Sequence, residues 1–318
     1  MIVAPLSQPG FLAIAERGIG DGLTLLPSLR SLRAARPDLR IELLTPALFP
    51  FAENLRGTAT VLDHRPLAGL GDQERLGWIR SRNAGWVWNT ESERGPWAQA
   101  LRRSAQPTWI TAPSQRTWGG RHVLRVRFEE LRMLFPQLRA PGETGLTLTP
   151  AQEAARQAFR SDFPLGELLV AIQPGAGDPK RAWPAEKFRA LASILAESAG
   201  VTVLVFLGEA DAHFDCTGLR CVREPLSSVA PKLAACDLCI GNDSGFYHLA
   251  FVLGSRAVGI YRSVRAAQRW AYRSPRSRAV RCWMPRQLQP DWTRWVSVSR
   301  VLRAARELVP GLAANLTR

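Results

Sequence analysis

The sequence predicts an α/β fold made of two consecutive Rossmann-like domains, and three observations carry that expectation. Short apolar runs alternate with segments of helical periodicity, a Pro/Gly-punctuated stretch interrupts the alternation once before it restarts, and glycine-bearing polar loops fall at predicted strand ends. Buried strands alternating with longer amphipathic helices are the rhythm of βαβ units around a parallel sheet.

In chain order, residues 11–16 (FLAIAE) read as a strand, Leu23, Leu26, Leu29, Leu32 and Leu39 mark one helix face, and residues 41–45 (IELLT) read as the next strand. Further strands are expected at 60–62, 86–88 and 109–111, with helical stretches between them. The stretch 139–150 (RAPGETGLTLTP) is the best boundary, giving an N-terminal domain 1–150, a C-terminal domain 151–296 and a final segment 297–318. The second half opens on the helix-like AQEAARQAF. Residues 168–177 (LLVAIQPGAG) form a strand and loop, 184–200 an amphipathic helix running from Pro to Gly, and 201–208 (VTVLVFLG) a buried parallel strand. A third repeat has helix-like SSVAPKLAAC, the strand DLCIG, a helix opened by NDSG and running to Leu253, and the strand 257–261. In such folds ligands lie beyond the carboxyl ends of the strands, so the two halves are expected to face a central cleft.

Composition excludes several classes. A chain of 318 residues, 46% hydrophobic and 22% charged, can bury sizeable cores and is not disordered. The net charge of +15 calls for an anionic partner. The basic residues are nevertheless scattered, with no helix-turn-helix, zinc-finger or RNA-recognition pattern, so no nucleic-acid partner is expected. The strongest apolar runs, such as 201–207, fall far short of the ~18 residues that span a bilayer. The N-terminal segment lacks the cationic start of a secretory signal, and a cytoplasmic location is expected. Five cysteines, an odd number in a long chain, suit reduced thiols better than a disulfide framework. Cys236 and Cys239 have metal-like spacing, with Cys216 and Cys221 upstream, but AACDLCIG reads as a helix end entering a buried strand, where Cys packs as a small hydrophobe. No metal site is evident and no cofactor is expected.

Three loops concentrate the chemistry. In the first, Arg17-Gly18-Ile19-Gly20-Asp21-Gly22, the spacing departs from a dinucleotide fingerprint, and Leu44 and Thr45 stand where an acidic ribose reader would be. Asp21 could accept a proton from an attacking hydroxyl, or could simply cap the first helix. The second loop, residues 173–184, sets Lys180 and Arg181 before a Pro-initiated helix, either as an anion clamp or as a solvated basic loop. The third runs Gly241-Asn242-Asp243-Ser244-Gly245-Phe246-Tyr247-His248. Ser244 and neighbouring N–H groups could meet a diphosphate, with Gly245 allowing close approach. His248, one turn deeper on the same face, could touch a ligand, orient the loop or be a satisfied structural residue.

Gly-Asp after the first strand, P-G-A with K-R and W-P, and G-N-D-S-G-x-x-H-L-A together resemble glycosyltransferase family 9, the ADP-heptose:lipopolysaccharide heptosyltransferases, from about Gly18 to about Val280. The resemblance implies a GT-B fold in which the first domain binds the acceptor, the second binds the nucleotide-sugar donor, and a C-terminal helix (298–312) returns to the first. Carried over by motif, Asp21 is the catalytic base, Lys180 with Arg181 contacts the donor phosphates, and Asp243, Ser244, Gly245 and His248 form the donor signature. Glu209 or Asp211 is a candidate for the ribose hydroxyls. The chain departs from the family at Ala182, which separates Arg181 from Trp183, at the bulky Phe246 and Tyr247, at Arg262, and at Arg17-Gly18, which replaces a small hydroxyl-bearing stretch.

The implied reaction is inverting transfer of a sugar, heptose from ADP-heptose, to a hydroxyl of a lipopolysaccharide-core-type acceptor, by a protein peripheral to the inner membrane face. Arg116, Arg121, His122, Arg125, Arg127 and Arg132, interleaved with Trp118 and Phe128, are candidate contacts to the anionic glycolipid, or else a solvated helix face with its aromatics in the core. Another donor sugar, a protein acceptor, or a non-catalytic nucleotide-sugar-binding scaffold are the alternatives.

Overall fold

A computed structural model describes residues 10–63, 67, 69–91, 93–104, 108–111, 118–208, 211, 213–285 and 291–314. The chain divides into two compact units, Met1–Thr144 and Gly145–Arg318. The division falls earlier than the expected 150, because the residues leading into the next helix already belong to the second unit: Leu146 N–H donates to Val252 O at 2.7 Å.

The first unit runs β1 (Gly10–Ile14), α1 (Ile19–Leu23), α2 (Leu26–Ala35), β2 (Arg40–Leu44), β3 (Thr60–Leu62), α3 (Asp72–Ser81), β4 (Ala84–Asn89), α4 (Pro96–Arg102), β5 (Thr108–Thr111) and α5 (Val123–Leu134). Its sheet is parallel in the order β3-β2-β1-β4-β5. Every residue of β1 is buried, as a central strand covered on both faces requires. The leucine face expected from spacing is real, since Leu26, Leu29 and Leu32 of α2 are fully buried.

The second unit runs α6 (Pro150–Ser161), β6 (Leu168–Gln173), α7 (Ala185–Ala196), β7 (Val201–Phe206), β8 (Arg220–Val222), α8 (Leu226–Ala234), β9 (Leu238–Asn242), α9 (Gly245–Val252), β10 (Arg256–Tyr261), α10 (Val264–Trp270), β11 (Ser277–Arg281), α11 (Val298–Leu308) and α12 (Gly311–Ala314). Its sheet is parallel in the order β11-β10-β9-β6-β7-β8. The edge strands β8 and β11 escape the sequence reading because both are short and carry arginines, so neither has the apolar run that marks a buried strand.

One expectation, that of reduced thiols throughout, is corrected below. Helix α11 packs on its own unit: Val301, Leu302, Ala305 and Leu308 enter the core of the second together with Val258, Ile260 and Val280 of β10 and β11. The apolar stripe of α11 is matched by the exposed face of its own sheet, which would be left open without it. Cys216 and Cys221 form a disulfide, with Cα atoms 6.2 Å apart in a turn that reverses at Gly218, whose φ is +72°. That separation lies inside the bridging range, which cysteine parity cannot reveal. Cys236 and Cys239 are buried free thiols, as their apolar context implied. Burial pushes both thiols well above their ordinary values. Among the described residues no group of three or more His, Cys, Asp or Glu could hold a metal ion, and no helix is long and apolar enough to cross a membrane.

Leu308→Ala tests where α11 packs. Truncating a side chain this deep in the core should cost about 2–4 kcal/mol in the unfolding of the second unit, measured by denaturant titration. A cost near zero would return the helix to solvent.

Candidate functional site

In each sheet the strand order reverses once, and the loops gather there. In the first unit β1 lies between β2 and β4, so the turns leaving β1 and β4 flank the crevice where such folds bind ligands. The turn after β1 enters α1 with Gly18 as its N-cap residue in extended conformation. Asp21 is therefore the third helical residue rather than the N-cap residue. Its half-buried carboxylate leans back over the turn: a methyl group added to Gly18 would lie 3.8 Å from Asp21 Oδ2. The helix packs closely on the segment after β2, where a methyl on Gly22 would meet Leu48 Cδ1 at 2.7 Å and Thr45 Oγ1 at 2.9 Å.

A residue that sequence reasoning missed holds this turn. Glu91, just beyond β4, accepts the Glu16 N–H at 2.8 Å and Arg17 Nε at 2.8 Å. Trp97 Nε1 donates to the Glu16 carboxylate at 2.6 Å, and the Thr90 N–H and hydroxyl both donate to Ile14 O, at 3.0 and 2.7 Å. Burial pushes the Glu91 carboxyl above its ordinary value; Arg17 pulls it back, and the charge of Asp21 adds to the rise. The two carboxylates thus feel each other's field. The available signal was position, a carboxylate at the carboxyl end of the strand in WVWNTE, but only the strand order shows that this end adjoins Asp21.

In the second unit β6 lies between β7 and β9, and the loops after β6 and β9 meet at the reversal. Asn242, fully buried at the end of β9, joins them. Its Oδ1 accepts the Trp183 N–H at 2.9 Å, and its Nδ2 donates to Pro174 O at 2.6 Å and to Gly175 O at 3.2 Å. Gln173 extends the seam, accepting the Ser244 hydroxyl at 3.3 Å and donating to Asp211 Oδ2 at 3.5 Å, while the Gly208 N–H donates to the same Asp211 oxygen at 2.9 Å. A methyl on Gly175 would lie 2.5 Å from both Asp211 Oδ1 and Gln173 Nε2, so these two side chains close over it. Asp211 is therefore placed at this site; Glu209 lies outside the described residues.

The two cations are arranged differently. Arg181 Nη1 donates to Asp243 O at 3.1 Å and lies 3.9 Å from the Asp243 carboxylate, so it leans over the third loop. The Lys180 side chain is exposed, while its main chain is held by Asp178 Oδ1 at 3.0 Å and by Trp292 Nε1 at 3.2 Å. Ser244 is the N-cap residue of α9 but makes no side-chain cap, its hydroxyl being turned to Gln173. Asp243, itself part of this loop, is buried. Phe246 packs on Phe206, with ring centroids 5.3 Å apart.

His248 is placed away from the loop surface. It is 3% exposed, its Nδ1 is 3.2 Å from the Tyr272 hydroxyl, and its ring meets Tyr247, Trp270 and Tyr272. The ring is thus held in the aromatic cluster that Tyr247, Trp270 and Tyr272 form around it.

The basic stretch around α5 divides in the same way. Arg127 is buried, bonded to Glu130 at 3.1 Å and to Thr90 O at 3.3 Å, and Trp118 and Phe128 are buried too. Arg121 and Arg125 share Glu129, and His122 caps α5 through Nδ1. Arg132 is exposed. Arg116 lies outside the described residues.

The sequence profile of glycosyltransferase family 9 (heptosyltransferase) matches residues 128–294, more than half of the chain. No curated protein sequence matches significantly. Solved structures share the fold: a glycosyl transferase family 9 protein from Veillonella parvula (17% identity, TM-score 0.77, 98% of this chain and 100% of that one), ADP-heptose lps heptosyltransferase II from E. coli (18%, 0.71, 96% and 99%), and E. coli heptosyltransferase WaaC with ADP (16%, 0.63, 94% and 100%).

Glu91→Gln tests the clamp. A carboxyl whose pKa is higher in the folded chain binds a proton on folding between the ordinary value, about 4.3, and the raised one, so its contribution to stability falls as pH rises through that window. The unfolding free energy of the wild type should therefore decline relative to Glu91→Gln across that window; parallel pH profiles would refute the burial of a charge there. Asn242→Ala, which orphans the Trp183 N–H and two carbonyls, should cost about 2–4 kcal/mol in denaturant unfolding.

Proposed function

Since the chain belongs to glycosyltransferase family 9 (heptosyltransferase), we propose that it is an inverting glycosyltransferase that moves heptose from ADP-heptose to a hydroxyl of a lipopolysaccharide-core-type acceptor. The second unit takes the donor. The observation that carries this reading is the seam at the end of β6 and β9, where Asn242 holds two loops so that Arg181 and the N-terminus of α9 converge. A cation and a helix N-terminus side by side are what a diphosphate needs. The ADP in the E. coli WaaC structure names the nucleotide to try first.

Transfer then proceeds by single displacement. The Asp21 carboxylate accepts the acceptor hydroxyl proton as its oxygen bonds to the anomeric carbon, and the bond from that carbon to the diphosphate oxygen breaks with inversion, releasing ADP. Negative charge grows on the departing diphosphate, and Arg181, Lys180 and the α9 N-terminus neutralise it; donors aimed at developing charge stabilise the transition state more than the ground state. Glu91 carries no step. It holds the backbone of Glu16 and the guanidinium of Arg17, and so the start of the helix that bears Asp21. The acceptor is an anionic glycolipid met at the inner face of the cytoplasmic membrane, in keeping with the net charge of +15.

Thermal shift with ADP, GDP, UDP and CDP at matched concentrations separates the readings. A ligand binding only the folded state at a hundredfold excess over its Kd adds about 2.7 kcal/mol. A shift with ADP alone is expected; preference for another nucleotide would keep the transferase and remove heptose, and no shift with any of the four would overturn the donor reading. Asp21→Asn should lower turnover by about 10²–10⁴-fold while leaving the ADP shift intact. Full turnover in that variant would remove Asp21 as the base.

A further inference from the structure

We propose that the corner of the second unit around Trp283 and Trp295 is a docking surface for anionic lipid headgroups. Most of the eleven tryptophans are packed, Trp88, Trp97, Trp118 and Trp183 entirely so, whereas Trp283 is 59% and Trp295 38% exposed. These two lean on each other with ring centroids 5.4 Å apart and planes at 75°. Burial alternates through Arg281 exposed, Cys282 buried and Trp283 exposed, so Arg281 and Trp283 share the outward side of the edge strand β11 and its continuation.

Arginines surround the pair and are tied to it. Arg300 donates from Nη1 to Trp295 O and from Nη2 to Arg281 O at 3.0 Å, joining the start of α11 to the end of β11. Arg300 and Arg303 of α11 and Arg278 of β11 line one shallow depression. Arg278 is neutralised by Glu307 at 3.1 Å, and Arg294, 83% exposed, lies 3.4 Å from Asp291. Arg281 and Arg303 are exposed, Arg281 on the same side of the strand as Trp283 and Arg303 in the depression that Arg300 also lines.

Exposed indoles set among arginines match the chemistry of a bilayer interface. Trp prefers headgroup depth, where its ring is half in hydrocarbon and its N–H is wet, and each Arg near an anionic surface adds attraction. The edge-to-face pair makes one wedge rather than a slot, which does not suit stacking of nucleic-acid bases. Charge and amphipathic aromatics therefore select a lipid surface. The sequence reading sought such a contact on α5, but Arg127, Trp118 and Phe128 are buried there and Arg121 and Arg125 are paired. This proposal rests on the glycolipid-acceptor reading only for the reason the protein meets a membrane.

The test uses the full chain and vesicles of phosphatidylcholine, alone or mixed with phosphatidylglycerol. Co-sedimentation is expected with the anionic vesicles only, with quenching of tryptophan fluorescence by brominated lipid. Trp283→Ala/Trp295→Ala should abolish the quenching, and Arg281→Glu/Arg303→Glu should weaken binding by at least roughly 30-fold. Both variants should keep the wild-type melting temperature and ADP shift, because the altered side chains lie outside the core and the donor loops. If transfer fails but vesicle binding behaves as described, the transferase reading falls and this one stands. Undiminished binding in both variants, loss only in Arg125→Glu/Arg132→Glu, concentration-dependent dimerisation that the Trp variant removes without any vesicle binding, or binding to single-stranded RNA in place of vesicles would each overturn it.

Discussion

Asn242 is a single buried amide on which the second unit's loops depend. Its side chain accepts from one loop position and donates to two others, 59 to 68 residues away in the chain. A buried amide left with unmade bonds is costly, so the loops after β6 and β9 have one arrangement in which every partner is met. Trp183, fixed through its backbone N–H, also donates from its ring to Val296 O at 2.9 Å, so the same bond network reaches the segment before α11. Arg181 can lean onto Asp243 O because both ends of its loop are pinned.

The first unit reaches the same result with a charge instead of an amide. Glu91 and Thr90 tie the end of β4 to the turn after β1, and a second buried pair, Arg127 with Glu130, holds Thr90 from α5. Burying a carboxylate costs desolvation, which is why Glu91 and Glu130 both titrate above the ordinary range despite their arginine partners. Both anchors occur where strand order reverses, the one place in each sheet where neighbouring loops diverge and leave a crevice.

Charge shows how far a total can mislead. A net +15 points to an anionic partner, yet many arginines are spent locally: Arg36 on Asp38, Arg121 and Arg125 on Glu129, Arg156 on Glu153, Arg189 on Asp215. Exposed pairs of this kind contribute little stability, but they do remove their charge from the field a partner feels. What distinguishes the β11–α11 corner is the company of exposed indoles rather than the number of arginines.

The sequence by itself determined the α/β class, the doubled βαβ rhythm, the identity of the three loops and their attachment to strand ends. These follow from periodicity and from glycine and proline punctuation, which act over a few residues and are readable wherever they occur. Tertiary structure alone decided which loops become neighbours, that Arg181 rather than Lys180 leans over the third loop, that His248 is buried, that α11 closes its own sheet, and that Cys216 reaches Cys221. It also supplied Glu91, whose bond to Glu16 spans 75 residues. The reason is strand order: β1 pairs with β4, and β6 with β9, across long stretches of chain, and no local pattern encodes which parallel strands will lie side by side.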